Sequence, residues 1–134
     1  MAADTQIPIA SDRDVVTARQ QGRAVALQTG FSMSEATLIA TAISELARNI
    51  VSYANRGSVT LQAVHGVNGA SGLTIIASDS GPGIADINLA LRDGYSSSGG
   101  LGLGLPGVRR LMDEFDIVSR IGGGTTVTVT KWLP

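Results

Sequence analysis

No cysteine occurs in this sequence, so disulfides and thiolate metal sites are excluded. Histidine is present once, as His65, which excludes a metal centre built from several imidazoles. Aromatic residues make up only 4 % and charged residues 16 % of the chain, and the net charge is −1. A near-zero balance gives no bulk field to draw the protein to nucleic acid or to a membrane surface, and neither is expected as a partner. No apolar run reaches the length of about 18 residues that a membrane span needs. The N-terminal stretch MAADTQIPIASDRD has neither a basic region nor an apolar core, so no signal peptide is read there. A soluble cytoplasmic protein is the expectation. With 43 % apolar residues in 134, the composition is globular, and one domain over residues 1–134 is expected.

What the chain has in quantity is glycine, 17 residues of it, and its distribution is uneven. The stretch GGLGLGLPGVRRLMDEF, residues 99–115, places glycine at 99, 100, 102, 104 and 107 and then begins an amphipathic pattern. Glycine loses more backbone entropy on folding than any other residue and buries little. Gly102 to Gly107 matches G-x-G-x-x-G, but no strand runs into it, which argues against a dinucleotide fingerprint, and no lysine follows to make a P-loop. Two readings stand. Small residues before a helix start expose backbone N–H groups that suit a phosphate; equally, glycines mark ordinary turns.

Periodicity supplies the frame. Gln6 to Ala10 reads as an edge strand because of Pro8. Ser11 or Asp12 starts a helix to about Thr29, stopped by Gly30 and weakened by Gly22. Ser32 or Ser34 caps a second helix with Glu35 in its first turn, whose stripe is Leu38, Ile39, Ala42, Ile43, Leu46, Ala47 and Ile50, and which ends at Asn55 to Gly57. Val59, Leu61 and Ala63 alternate as a strand, HGVNGASG turns, and LTIIASD returns as a more buried strand. A short helix is predicted over Ile84 to Leu91 and another over about Leu105 to Asp113, with Pro106 in its first turn. FDIVSR, a turn at Gly122 to Gly124 and TTVTVTKW form a closing hairpin. The whole reads as an α/β (α+β) two-layer sandwich, a mixed, mostly antiparallel sheet with helices on one face.

Two further groups could carry chemistry. Glu45 and Asn49, at i and i+4, share one face of the second helix. A carboxylate and an amide so placed can serve as base and as Mg²⁺ ligand, since Mg²⁺ takes oxygen donors and often only one or two from protein; they can also be a solvated polar pair. In ASDSGPGI, Asp79 ends a strand ahead of Gly81 and Gly83. A carboxylate there can accept from an exocyclic amine while bare backbone admits a flat base, or the segment is a plain turn.

In their order, Glu45-x-x-x-Asn49, Asp79-x-Gly81-x-Gly83, Gly100-x-Gly102-x-Gly104 and Gly124-Thr125 resemble the GHKL (histidine-kinase-like) ATPase superfamily over about residues 35 to 130. The resemblance implies an α/β sandwich with ATP between the helices and a lid at roughly residues 86 to 99. It implies that Asp79 binds the adenine amine, with Gly81, Gly83 and Thr125 nearby. Asn49 would hold Mg²⁺, and Ser98, Gly99, Gly100, Leu101, Gly102, Leu103 and Gly104 would meet the phosphates. Glu45 would be the catalytic base. Whether Thr125 or Thr126 meets the nucleotide stays open in GGGTTV.

Size narrows the resemblance. TAISELARNI, DSGPGI, DGYSSSGGLGLGLPGVRRLMDEF and TKWLP look like the anti-sigma-factor serine/threonine kinase family, in particular its stressosome switch kinases. His65, near a strand end, reads as a surface histidine and not as a phospho-acceptor. The family implies phosphorylation of STAS-domain scaffold or antagonist proteins and, after release, activation by contact of a metal-dependent serine phosphatase. The competing implication is an anti-sigma factor that sequesters a sigma subunit directly.

Overall fold

The computed structural model describes residues 4–84, 87–91 and 104–134. The polypeptide opens with strand β1 (Thr5–Ile9) and continues into helices α1 (Asp12–Thr29) and α2 (Met33–Ala54). Strands β2 (Gly57–His65) and β3 (Ser71–Asp79) follow, then the short helix α3 (Ile87–Ala90) and α4 (Gly104–Leu111). Strands β4 (Glu114–Arg120) and β5 (Gly124–Trp132) end the chain.

The two long helices begin and end on local signals. The carboxylate of Asp14 accepts from the Ala10 N–H at 2.8 Å, and Asp12 and Asp14 place negative charge at the positive end of α1. Gly30 closes α1 with its N–H on the carbonyls of Ala26 and Leu27. Helix α2 starts in a full capping box: the Ser32 hydroxyl accepts from the Glu35 N–H at 3.1 Å and the Glu35 carboxylate accepts from the Ser32 N–H at 3.1 Å. Gly22, read from sequence as a weak point in α1, has a packing role instead. A Cβ there would run into the buried Ile43 side chain, so the missing methyl lets α1 lie close against α2.

The sheet has strand order β1-β2-β3-β5-β4, and all four pairings are antiparallel. The mixed sheet expected from sequence is thus uniformly antiparallel; β2–β3 and β4–β5 are joined by short turns, which impose that sense. Pro8 sits on edge strand β1, where its missing N–H costs no central ladder bond.

One face of the sheet meets the helices. Ile7, Ile9, Val59, Leu61, Leu73, Ile75, Val127 and Val129 form a core with Ala36, Ile39, Ile43, Leu46, Ala47 and Ile50 of α2, and α4 adds Leu105 and Val108. Period-2 alternation turns Thr60, Ser78, Thr126 and Thr128 to the other face, where Thr74 and Thr130 bond each other at 2.8 Å. Leu38 and Val16 lie on the outer sides of their helices and are exposed.

Helix α4 starts one residue earlier than its pattern suggests and stops at Leu111. Asp113 has left the helix because its N–H bonds the Thr130 carbonyl at 2.9 Å and its carboxylate takes the Trp132 N–H at 2.8 Å. Trp132 lies at the far end of β5, its ring over Gly66 and Gly72 and its indole N–H on Glu114. The short helix predicted over Ile84 to Leu91 is confined to Ile87–Ala90 among the described residues.

Candidate functional site

The two motif-bearing segments of α2 and β3 and the start of β5 meet at one end of the sandwich. Helix α2 supplies Glu45 and Asn49 on one face. Glu45 is the one charged side chain in the core among the described residues, 4 % exposed. Its Oε1 accepts from the Gly104 N–H at 3.0 Å. The first N–H groups of a helix have no intrahelical partner, so the carboxylate of α2 closes the N-terminus of α4. The amide of Gly104, which the family resemblance directs to phosphate, is given to Glu45 in this conformation.

One turn further on, Asn49 Oδ1 is buried and has no hydrogen-bond partner among the described residues. The pair is therefore not a solvated polar patch. A buried amide oxygen without a donor has the chemistry of a ligand for a hard cation. Among the described residues no group of three or more histidine, aspartate or glutamate side chains converges. A Mg²⁺ at Asn49 would therefore take its remaining ligands from substrate phosphates and water, and the residues present fit that role.

Asp79 ends β3 with its two carboxylate oxygens in different situations. Oδ1 accepts from the Gly81 N–H at 2.9 Å and from the Thr125 N–H at 3.2 Å. Oδ2 takes no hydrogen bond from the described residues and remains an acceptor. The register that pairs Ser78 with Thr126 brings Thr125 alongside Asp79. Thr125 also shares a 2.8 Å hydroxyl bond with Ser119, whereas the Thr126 hydroxyl lies 3.2 Å from that of Ser78 on the opposite face.

Two glycines here have internal duties. Gly83 (φ 82) and Gly124 (φ 91) adopt left-handed backbone, and a Cβ on them would strike the carbonyl oxygens of Arg120 and Asp79 respectively. The turn after β3 is further pinned by the Gly122 N–H on the Pro82 carbonyl at 2.8 Å. Gly81 is packed against Ala54 at the end of α2.

Ser98, Gly99, Gly100, Leu101, Gly102 and Leu103, and most of the expected lid, lie outside the described residues. Of the remaining expected residues, Glu45 and Asn49 share the α2 face, and Asp79, Gly81, Gly83 and Thr125 share the β3–β5 corner. His65 stands at the other end of β2, exposed, with Nδ1 3.2 Å from the Ser71 hydroxyl. Ser119 was not singled out by any motif. Its hydroxyl accepts from the Ile84 N–H at 2.7 Å, and only the β4–β5 register, absent from a linear reading, places it there.

The family model for a histidine kinase-like ATPase domain matches residues 9–131, and the chain belongs to that family. Within it the chain ranks with the serine/threonine protein kinases: it is 52 % identical to the serine/threonine-protein kinase RsbT of Bacillus subtilis (strain 168), over 95 % of each chain. An anti-sigma F factor of Thermoanaerobacter sp. (strain X514) is 28 % identical, over 87 % of this chain and 83 % of that one. Among solved structures, the RsbU and RsbW domains of Rv1364c from Mycobacterium tuberculosis superpose with a TM-score of 0.63 at 24 % identity, covering 99 % of this chain and 33 % of that one. The mycobacterial sensor histidine kinase MprB gives 0.54 at 16 % identity, covering 98 % and 97 %. These two show a shared fold. No helix among the described residues is long and apolar enough to cross a membrane.

Proposed function

We propose that this single ATPase domain is the switch kinase of a cytoplasmic partner-switching pathway, transferring the γ-phosphoryl group of Mg-ATP to a serine or threonine of STAS-domain scaffold proteins. After release it would bind and activate a metal-dependent serine phosphatase by contact. The observation that carries the catalytic part is the buried Glu45 one helical turn from the unpartnered Oδ1 of Asn49. The choice of substrates and partner rests on the end-to-end similarity to RsbT.

Phosphoryl transfer asks a protein for positioning and charge neutralisation more than for covalent chemistry. Asn49 Oδ1 would hold Mg²⁺, which, when bound, neutralises the phosphate oxygens. Asp79 Oδ2 would accept from the adenine amine, with Gly81, Gly83 and Thr125 lining the base. The backbone of residues 98–104, apart from the Gly104 N–H that Glu45 holds in this conformation, would face the phosphates. Glu45 would orient the acceptor hydroxyl and take its proton as that oxygen bonds the γ-phosphorus and the bond from phosphorus to the β–γ bridging oxygen breaks, with ADP as the leaving group. The Gly104 N–H fixes one carboxylate oxygen, so the side chain is not free to rotate.

Transfer of labelled γ-phosphate from Mg-ATP to a co-encoded STAS protein tests the reading. Labelling of a serine or threonine by the wild-type chain, lost in Glu45→Ala, is the expected result. Tight nucleotide binding with no labelling of any STAS protein would overturn it. The similarity to anti-sigma F factors supports a second reading, in which the chain sequesters a sigma subunit; recovery of a sigma factor instead of STAS proteins with the tagged chain would favour it.

A further inference from the structure

Strand β4 stands at an edge of the sheet. It pairs with β5 on one side, and no described strand pairs with the other. Backbone N–H and C=O groups along an open edge are a template for a further extended chain. The opposite edge strand, β1, carries Pro8, whereas β4 (EFDIVSR) holds neither proline nor lysine, residues that commonly guard an edge. Alternation sorts its side chains. Phe115, Ile117 and Ser119 are half-buried on the helix side, and Glu114, Asp116, Val118 and Arg120 are exposed on the other. Val118 is 56 % exposed. Asp116 and Arg120 form no ion pair with a described residue, and about 13 Å of strand keeps them from each other.

We propose that the open edge of β4 receives β4 of a second copy of this chain, antiparallel, about a two-fold axis at Val118. In that register Val118 meets Val118, and Asp116 of each copy lies opposite Arg120 of the other. An exposed apolar side chain is then covered at the axis, between two complementary charge pairs that no single copy can make. The neighbouring register with the same facing, centred on Ile117, is poorer. It sets Val118 against Asp116 and asks Glu114 to meet Arg120, although the Glu114 carboxylate already takes the Trp132 indole N–H. Strand-to-strand contact over Asp116 to Arg120 alone buries less than the roughly 1,200 Å² of a standard stable interface, so the dimer is a weak, reversible one. Its strands end at the nucleotide corner of each copy, since Arg120 pairs with Gly124 and its carbonyl abuts Gly83.

The test is sedimentation equilibrium of the intact chain up to high micromolar concentration, for the wild type, Asp116→Arg, Arg120→Asp and the two exchanged together. The wild type is expected to shift from monomer to dimer as concentration rises. Either single reversal sets like charges opposite each other twice and weakens the dimer about ten-fold or more. The exchanged pair restores it, which a general loss of stability would not do. All three positions of the axis, Asp116, Val118 and Arg120, are exposed, so the variants are expected to melt as the wild type does. The register is read separately by disulfide formation, because the chain has no cysteine of its own. Val118→Cys should cross-link two copies under mild oxidation, its Cα atoms facing at about 4.5–5.5 Å. Asp116→Cys should not, its two copies lying about 13 Å apart, beyond the reach of a disulfide. A wild type that stays monomeric throughout, a dimer indifferent to the charge reversals, or Asp116→Cys cross-linking as readily as Val118→Cys would overturn the proposal.

Discussion

At Asn49 a buried amide oxygen has no donor among the described residues, and such an atom costs about 1–3 kcal/mol of stability. Asn49→Ala removes the cost along with the ligand. We expect a melting temperature equal to or above that of the wild type, together with loss of the Mg²⁺-dependent part of ATP affinity. A variant that keeps this affinity would take Asn49 out of the metal site. Glu45→Gln keeps an oxygen for the Gly104 N–H but cannot accept a proton. It should bind ATP and slow transfer by about 10²-fold or more, the usual weight of a general base; near-normal single-turnover transfer would end that role. At Asp79 the two amides of Gly81 and Thr125 hold Oδ1. An asparagine would keep its carbonyl oxygen on those amides and turn its NH₂, a donor, toward the adenine amine. Asp79→Asn should therefore fold normally and lose ATP affinity by about ten-fold or more, since donor now faces donor; titration reads this directly.

The scale of the elements decides what could be read from the chain alone. Both long helices and all five strands follow from periodicity and caps: the Ser32–Glu35 box, Gly30 after α1, the alternation of Val59 and Leu61. Those signals are local, within four residues or within one strand. What was not legible depends on chain segments that meet only after folding. Ser119 needs the β4–β5 register, the Glu45–Gly104 bond spans 59 residues, and the need for glycine at position 22 comes from Ile43 on another helix. The same holds for the turn glycines, whose bareness is already required by neighbouring backbone. Gly124→Ala would force a Cβ into the Asp79 carbonyl at φ 91. It should destabilise the fold by more than about 1 kcal/mol and disturb Asp79 as well. Denaturant unfolding gives the first effect and ATP titration the second; an alanine variant as stable as the wild type would mean that the β3–β5 corner relaxes freely.

As a whole, the described residues form one helical layer on one antiparallel sheet, with Asp79, Gly81, Gly83 and Thr125 gathered at the end where β3 stops and β5 begins. A ligand that binds only the folded chain stabilises it by about 2.7 kcal/mol at a hundred times its dissociation constant. For a domain of this size that corresponds to roughly 10 °C in melting temperature. Thermal unfolding with and without Mg-ATP measures it, and a flat response would count against a formed site. The sole tryptophan, Trp132, closes β5 at its opposite end. It stands seven positions along the extended chain from Thr125, about 23 Å at the usual rise per residue. Indole emission is therefore a reporter of the sheet's distal seam and of global unfolding, blind to occupancy of the Asp79 corner. An optical assay of nucleotide association with this protein must carry its chromophore on the ligand.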